Sequence, residues 1–247
     1  MEKDHLCSQL RKIFDHFDNV LSELKYDGNI YRDKIIISSL CSVLNGYLAC
    51  IDLIKAERCS QIPILLRSMI EAFIDIDYVC RNEEGYKSLF LEAKVTQKRF
   101  LENILKFEIE PDEISCNERI IQLKKEIKEH KDNNIKAREP WALKIHDSGI
   151  PRECKIEAFN CCTAVHNSLL ELEGRHGIFS YFTNINCYPD FDLKSIESNI
   201  IVLCITIIFA VEQVCTFFKI DPGQDYIDAG LIFKNLCSNL DKQPTKL

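Results

Sequence analysis

Glycine and proline are scarce in this chain, 8 and 7 in 247 residues. So few turn formers disfavour the many short strands of an all-β protein. The common nucleotide cradles are missing: neither G-x-x-x-x-G-K-[ST] nor G-x-G-x-x-G occurs. No C-x-x-C and no H-E-x-x-H is present either. Glu71, Asp75 and Asp77 are close in sequence, but Asp77 projects well away from Glu71 on a helix, so they do not make a metal site. No cofactor and no metal are expected. Long apolar runs are short of what a bilayer requires. The longest, Ile200 to Val211, has twelve residues where about 20 are needed, and Glu212 ends it. It reads as a buried core helix, and the protein is expected off the membrane.

What is present is charge, thiol and helical periodicity. The chain is 46% hydrophobic and 28% charged, with a net charge of −7. That composition supports a sizeable core and disfavours indiscriminate binding to nucleic acid. Cysteine is frequent, at 13. An odd number in a long chain that opens on the charged stretch MEKDHLCSQLRK reads as reduced thiols in the cytoplasm.

Apolar residues recur at helical spacing in Leu6–Leu24, and Tyr31–Ile54 reads as a second long helix. Pro63 suits the first turn of a third helix. A fourth is expected over Glu84–Phe107, and Pro111 interrupts the pattern. Pro151 opens another that closes near Gly174, followed by Ile196–Phe218 and Tyr226–Leu240. The stretch GIFSYFTNINCY is the one place for a loop or short hairpin. The expected architecture is a single all-α domain over 1–247, a multi-helix bundle. Its charged 112–138 stretch would be a helical arm, a hairpin or a solvated face. From Arg119 to Arg138, seven Lys/Arg stand against three Asp/Glu, which favours a local nucleic-acid contact.

The segment LLRSMIEAFIDIDYV, Leu65–Val79, is apolar nearly all round, so its helix should be central. Arg67 and Glu71, at i and i+4, are then expected inside and paired, since neither type is buried alone. Breaking such a buried pair would cost about 3–5 kcal/mol. In the helix after Pro151, Phe159, Thr163, His166 and Leu170 make an apolar face, with Glu157, Asn160, Asn167 and Glu171 opposite. His166 is a candidate acid/base, and Arg67 a candidate phosphate or carboxylate clamp oriented by Glu71. The plainer reading is an internal ion pair that fixes helix register and a core histidine.

These residues carry a resemblance. LLRSMIEAFIDIDYV, Trp141 and CCTAVHNS together resemble an uncharacterised, mainly bacterial family of helical proteins, a domain of unknown function. Its pattern is R-x-x-x-E in one helix and a hydroxyl residue shortly before a histidine in a later one. Arg67, Glu71, Thr163 and His166 stand at those positions, with Thr163 in place of the commoner serine. The resemblance spans roughly Tyr31 to Phe218. Such proteins are distantly similar to HEPN-type helical proteins, many of them ribonucleases of toxin–antitoxin and phage-defence systems. The resemblance implies a class to test: a metal-independent ribonuclease with His166, Arg67 and Glu71 at the phosphodiester. The HEPN signature itself, R-x4–6-H, occurs once, as Arg11 and His16, which makes that pair the competing site. The other reading is a non-catalytic interaction or defence-associated protein with a structural polar cluster. The expected partners are an RNA or another protein, with self-association into a homodimer also open.

Overall fold

The computed structural model describes residues 2–106, 113–133, 135, 141–165 and 196–240. Among these the fold is all-α, without strands. The helices are α1 (Lys3–Ser22), α2 (Tyr31–Lys55), α3 (Ile62–Arg81), α4 (Gly85–Lys106), α5 (Glu113–Asp132), α6 (Trp141–Asp147), α7 (Arg152–Val165), α8 (Glu197–Phe218) and α9 (Gly223–Leu240), with a 3-10 turn, Cys59–Gln61, leading into α3. The long expected helices are found within a few residues of their sequence limits, except that the expected end near Gly174 of the helix opened by Pro151 lies outside the described residues. The short α6 was not expected, because seven residues are too few to display a period. The stretch GIFSYFTNINCY lies outside the described residues.

The chain divides into two compact units, one of residues 1–80 with 148–247 and one of residues 81–147. The first is built on α2 and α8, with α1 packed on α2, α9 on α1 and α7 on α8. In α1 the buried residues Leu6, Leu10, Ile13, Phe17 and Val20 follow the 3.6-residue repeat. Tyr47 of α2 is fully buried and donates its hydroxyl to the Leu10 carbonyl at 3.0 Å. Gly46 permits close approach to α3: a Cβ there would meet Met69 Cγ at 2.5 Å. Arg32 donates to the carbonyls of Val79 (2.8 Å) and Cys80 (3.0 Å), capping the end of α3, while its guanidinium lies 4.7 Å from the Phe217 ring centroid.

Two helix ends use left-handed caps without glycine. Glu57 (φ 58°) ends α2 and Lys219 (φ 57°) ends α8. Behind each, an amide reaches back across the last turn, Arg58 N to Leu53 O at 2.8 Å and Ile220 N to Cys215 O at 2.9 Å. These backbone bonds fix the stop where no glycine marks it. The apolar helix α8 is longer than the run Ile200–Val211, because Val214, Cys215, Phe217 and Phe218 continue it past Glu212. Both α2 and α8 are long and apolar enough to cross a bilayer by length and composition, a test that a soluble core helix passes equally.

The second unit pairs α4 with α5. Lys94 Nζ lies 3.0 Å from Glu126 Oε2 and 3.2 Å from His130 Nε2, and Arg119 joins Glu126 at 3.6 Å. The hydrogen bond from Lys94 holds the Glu126 carboxyl below its ordinary range. Lys144 of α6 is paired with Glu92 of α4. The charged stretch expected over 112–138 falls within this unit, and α5 is its described helix.

Candidate functional site

On α3 the inward face runs through Ile62, Leu66, Met69, Ile70, Phe73, Ile76 and Asp77. Arg67 and Glu71 lie beside that face. Arg67 donates Nε to Glu71 Oε1 at 3.1 Å, and its terminal Nη2 is 3.1 Å from the same oxygen. Their side chains are 15% and 41% exposed. The pair exists as expected, but it is not sealed in the core. The reason is desolvation: burying both ions would cost several kcal/mol each. An edge position covers most of the arginine side chain and leaves the carboxylate within reach of water.

The stability expectation changes with it. Glu71→Ala should lower stability by only about 0.5–1 kcal/mol, the range of a half-exposed i, i+4 pair, and not by 3–5. Denaturant melts of the variant check this, and a loss above about 2 kcal/mol would return the pair to the buried class.

The carboxylate that α3 does bury is Asp77, 3% exposed. Its Oδ2 accepts the Gly149 backbone N–H at 2.8 Å and its Oδ1 accepts Gln213 Nε2 at 2.9 Å. It joins α3 to the entry of α7 and to α8 through neutral donors. Sequence reasoning passed over Asp77 in a search for metal ligands. Its signal was its position, three residues after Ile74 and four after Phe73 on the buried face.

A second buried carboxylate is Glu157 on α7. It accepts Asn199 Nδ2 of α8 at 2.9 Å and Asn160 Nδ2 at 3.2 Å, with Cys161 Sγ at 3.6 Å. This exchanges the expected places of Glu157 and Phe159, while Asn160 is exposed and the rest of both expected faces lies outside the described residues. Cys154, Glu157, Ala158 and Cys161 are buried, whereas Ile156 and Phe159 are exposed. The face of α7 turned toward α8 is made of the small residues Cys154, Ala158 and Cys161 together with Glu157, which Asn199 of α8 satisfies. Thr163 belongs to α7, but its side chain and all of His166 lie outside the described residues.

The competing pair is divided between two acids. Arg11 Nε bonds Asp15 Oδ1 at 3.0 Å, and its guanidinium stands 5.1 Å from the Phe14 ring centroid. His16 Nδ1 is 2.7 Å from Asp225 Oδ1 on α9. The His16 and Asn19 hydrogen bonds hold the Asp225 carboxyl below its ordinary range. His16 thus ties α1 to α9.

Glu-x-x-His, a spacing used by di-metal bundles, occurs at Glu2–His5 and at Glu173–His176, the second outside the described residues. Among the described residues no group of three or more His, Cys, Asp and Glu is placed to hold a metal ion. None of the eleven described cysteines is bridged.

Fold and site together define an all-α protein with an Arg–Glu pair at the edge of its core and two buried carboxylates, Asp77 and Glu157. The chain belongs to a family of unknown function (DUF5677), whose model matches residues 33–179. Arg67, Glu71, Asp77, Thr163 and His166 all fall inside that match; Arg11 and His16 fall outside it. No curated protein and no solved structure matches the chain.

Proposed function

We propose that this is a bacterial interaction or defence-associated protein of the cytoplasm. It engages an anionic group of its partner through Arg67, held in place by Glu71. The observation that carries this reading is the unequal exposure of the pair. The arginine is mostly covered, and Glu71 Oε1 takes both its Nε and its Nη2, while that carboxylate is reached by solvent. An arginine oriented in this way suits bidentate recognition of phosphate or carboxylate, because its guanidinium loses little freedom on binding. Asp77 and Glu157, with neutral donors from neighbouring elements, serve to position helices.

The solvent access of Glu71 also favours a second reading. A metal-independent HEPN-like ribonuclease would use His166 as acid/base and Arg67 at the phosphodiester. The distinguishing experiment incubates end-labelled single-stranded RNA with the purified chain in EDTA and, in parallel, scores growth on expression. Under the interaction reading no cleavage occurs. Any growth effect is then lost in Arg67→Ala and retained in His166→Gln. RNA cleavage that His166→Gln abolishes, with thermal stability kept, replaces it with the enzyme. Cleavage lost instead in Arg11→Ala with His16→Ala moves the site to α1. A growth effect indifferent to Arg67→Ala refutes the interaction reading.

A further inference from the structure

Residues 81–147 interrupt the first unit, which resumes at Ser148. Each unit closes its own ends. In the first, Asp77 Oδ2 accepts Gly149 N at 2.8 Å, so the segments before and after the interruption meet. Arg32 holds the departing end by the carbonyls of Val79 and Cys80. In the second, Arg81 Nη2 donates to the Asp147 carbonyl at 3.3 Å, which joins that unit's first and last residues. Neither closure needs the other unit to be folded.

The two units also differ in core. Among the described residues the buried apolar side chains of 81–147 are Leu91, Ile120, Leu123 and Ile145. The first unit buries whole faces of α1, α2, α3 and α8. The second unit also has polar ties, Lys94, Glu126, Arg119 and His130 between α4 and α5, and Lys144 with Glu92. Ties of this partly exposed kind contribute little each.

We propose that residues 81–147 form an inserted unit that opens and closes by itself while the unit bearing Arg67 and Glu71 stays folded. Regions with few buried apolar contacts occupy the low end of the local stability range, and moving elements are drawn from there. This inference stands apart from the proposed activity, since it concerns only which parts of the chain unfold together.

The test is hydrogen exchange with mass spectrometry on the full chain. Amides of α4 and α5 should exchange at least tenfold faster than those of α2 and α8. Leu123→Ala should accelerate α4 and α5 by roughly 100-fold more and leave α2 and α8 unchanged. Leu203→Ala in α8 should do the reverse, moving the first unit and not α4 and α5. Equal acceleration of both units by either variant would overturn the proposal, as would failure of Leu123→Ala to yield a folded chain. In either case the two units would be one cooperative structure.

Discussion

Raising the pH from 8 to 10 is expected to remove several kcal/mol of stability, against the roughly 5–15 kcal/mol that folded domains commonly have. The groups responsible are buried thiols, the deepest of which are Cys50, Cys154 and Cys204, with Cys59, Cys80 and Cys215 raised in the same direction. Burial pushes Cys50 up to about 12, Cys154 up to about 11 and Cys204 up to about 12, against an ordinary value of 9.0. In the unfolded chain these thiols ionise near their ordinary value; in the folded chain they keep their protons. The contribution is therefore fully present below pH 9 and is lost progressively from there until the pH has risen through the folded values of about 11 to 12. At pH 10 each thiol accounts for on the order of 1 kcal/mol, about one pH unit of differential proton binding. Tyr47 acts in the same direction at higher pH, because burial raises its hydroxyl well above 10.0. Denaturant midpoints measured at pH 7, 8, 9 and 10 check the sign and size. A midpoint that is flat to pH 10 would show that these thiols are reached by water.

The second large effect is expected at Asp77. Asp77→Ala removes an acceptor that serves Gly149 N–H and Gln213 Nε2 at once. Hydrogen bonds to a charged group are worth about 1.5–3 kcal/mol each. Gly149 is exposed and regains water, so part of this returns. The net loss should be about 2–3 kcal/mol, several times that of Glu71→Ala. Asp77→Asn separates hydrogen bonding from charge. Its amide oxygen can face Gly149 N–H, and the Gln213 amide can turn to accept from the new NH2. It should therefore lose less than about 1 kcal/mol. Chemical denaturation of the three variants ranks them, and Glu71→Ala costing more than Asp77→Ala would reverse the assignment of structural and functional carboxylates.

Helix existence was legible in the sequence because it rests on local spacing. The repeat Leu6, Leu10, Ile13, Phe17, Val20 announces α1 without reference to any neighbour, and each of those residues is buried. The Arg67–Glu71 pair was legible for the same reason, since i and i+4 adjoin on any helix. Its depth was not legible. An all-apolar helix still turns one edge to water, and which edge depends on where its neighbours lie.

The sequence by itself determined an all-α chain, the approximate limits of its long helices and the pairing of Arg67 with Glu71. The tertiary structure alone decided which carboxylates go inside. Asp77 is buried because Gly149 and Gln213, 72 and 136 residues away, supply its donors. Glu157 is buried because Asn199, 42 residues away, supplies one of its own. A buried charge is tolerated only where distant groups satisfy it, and one helix's periodicity carries no record of such groups.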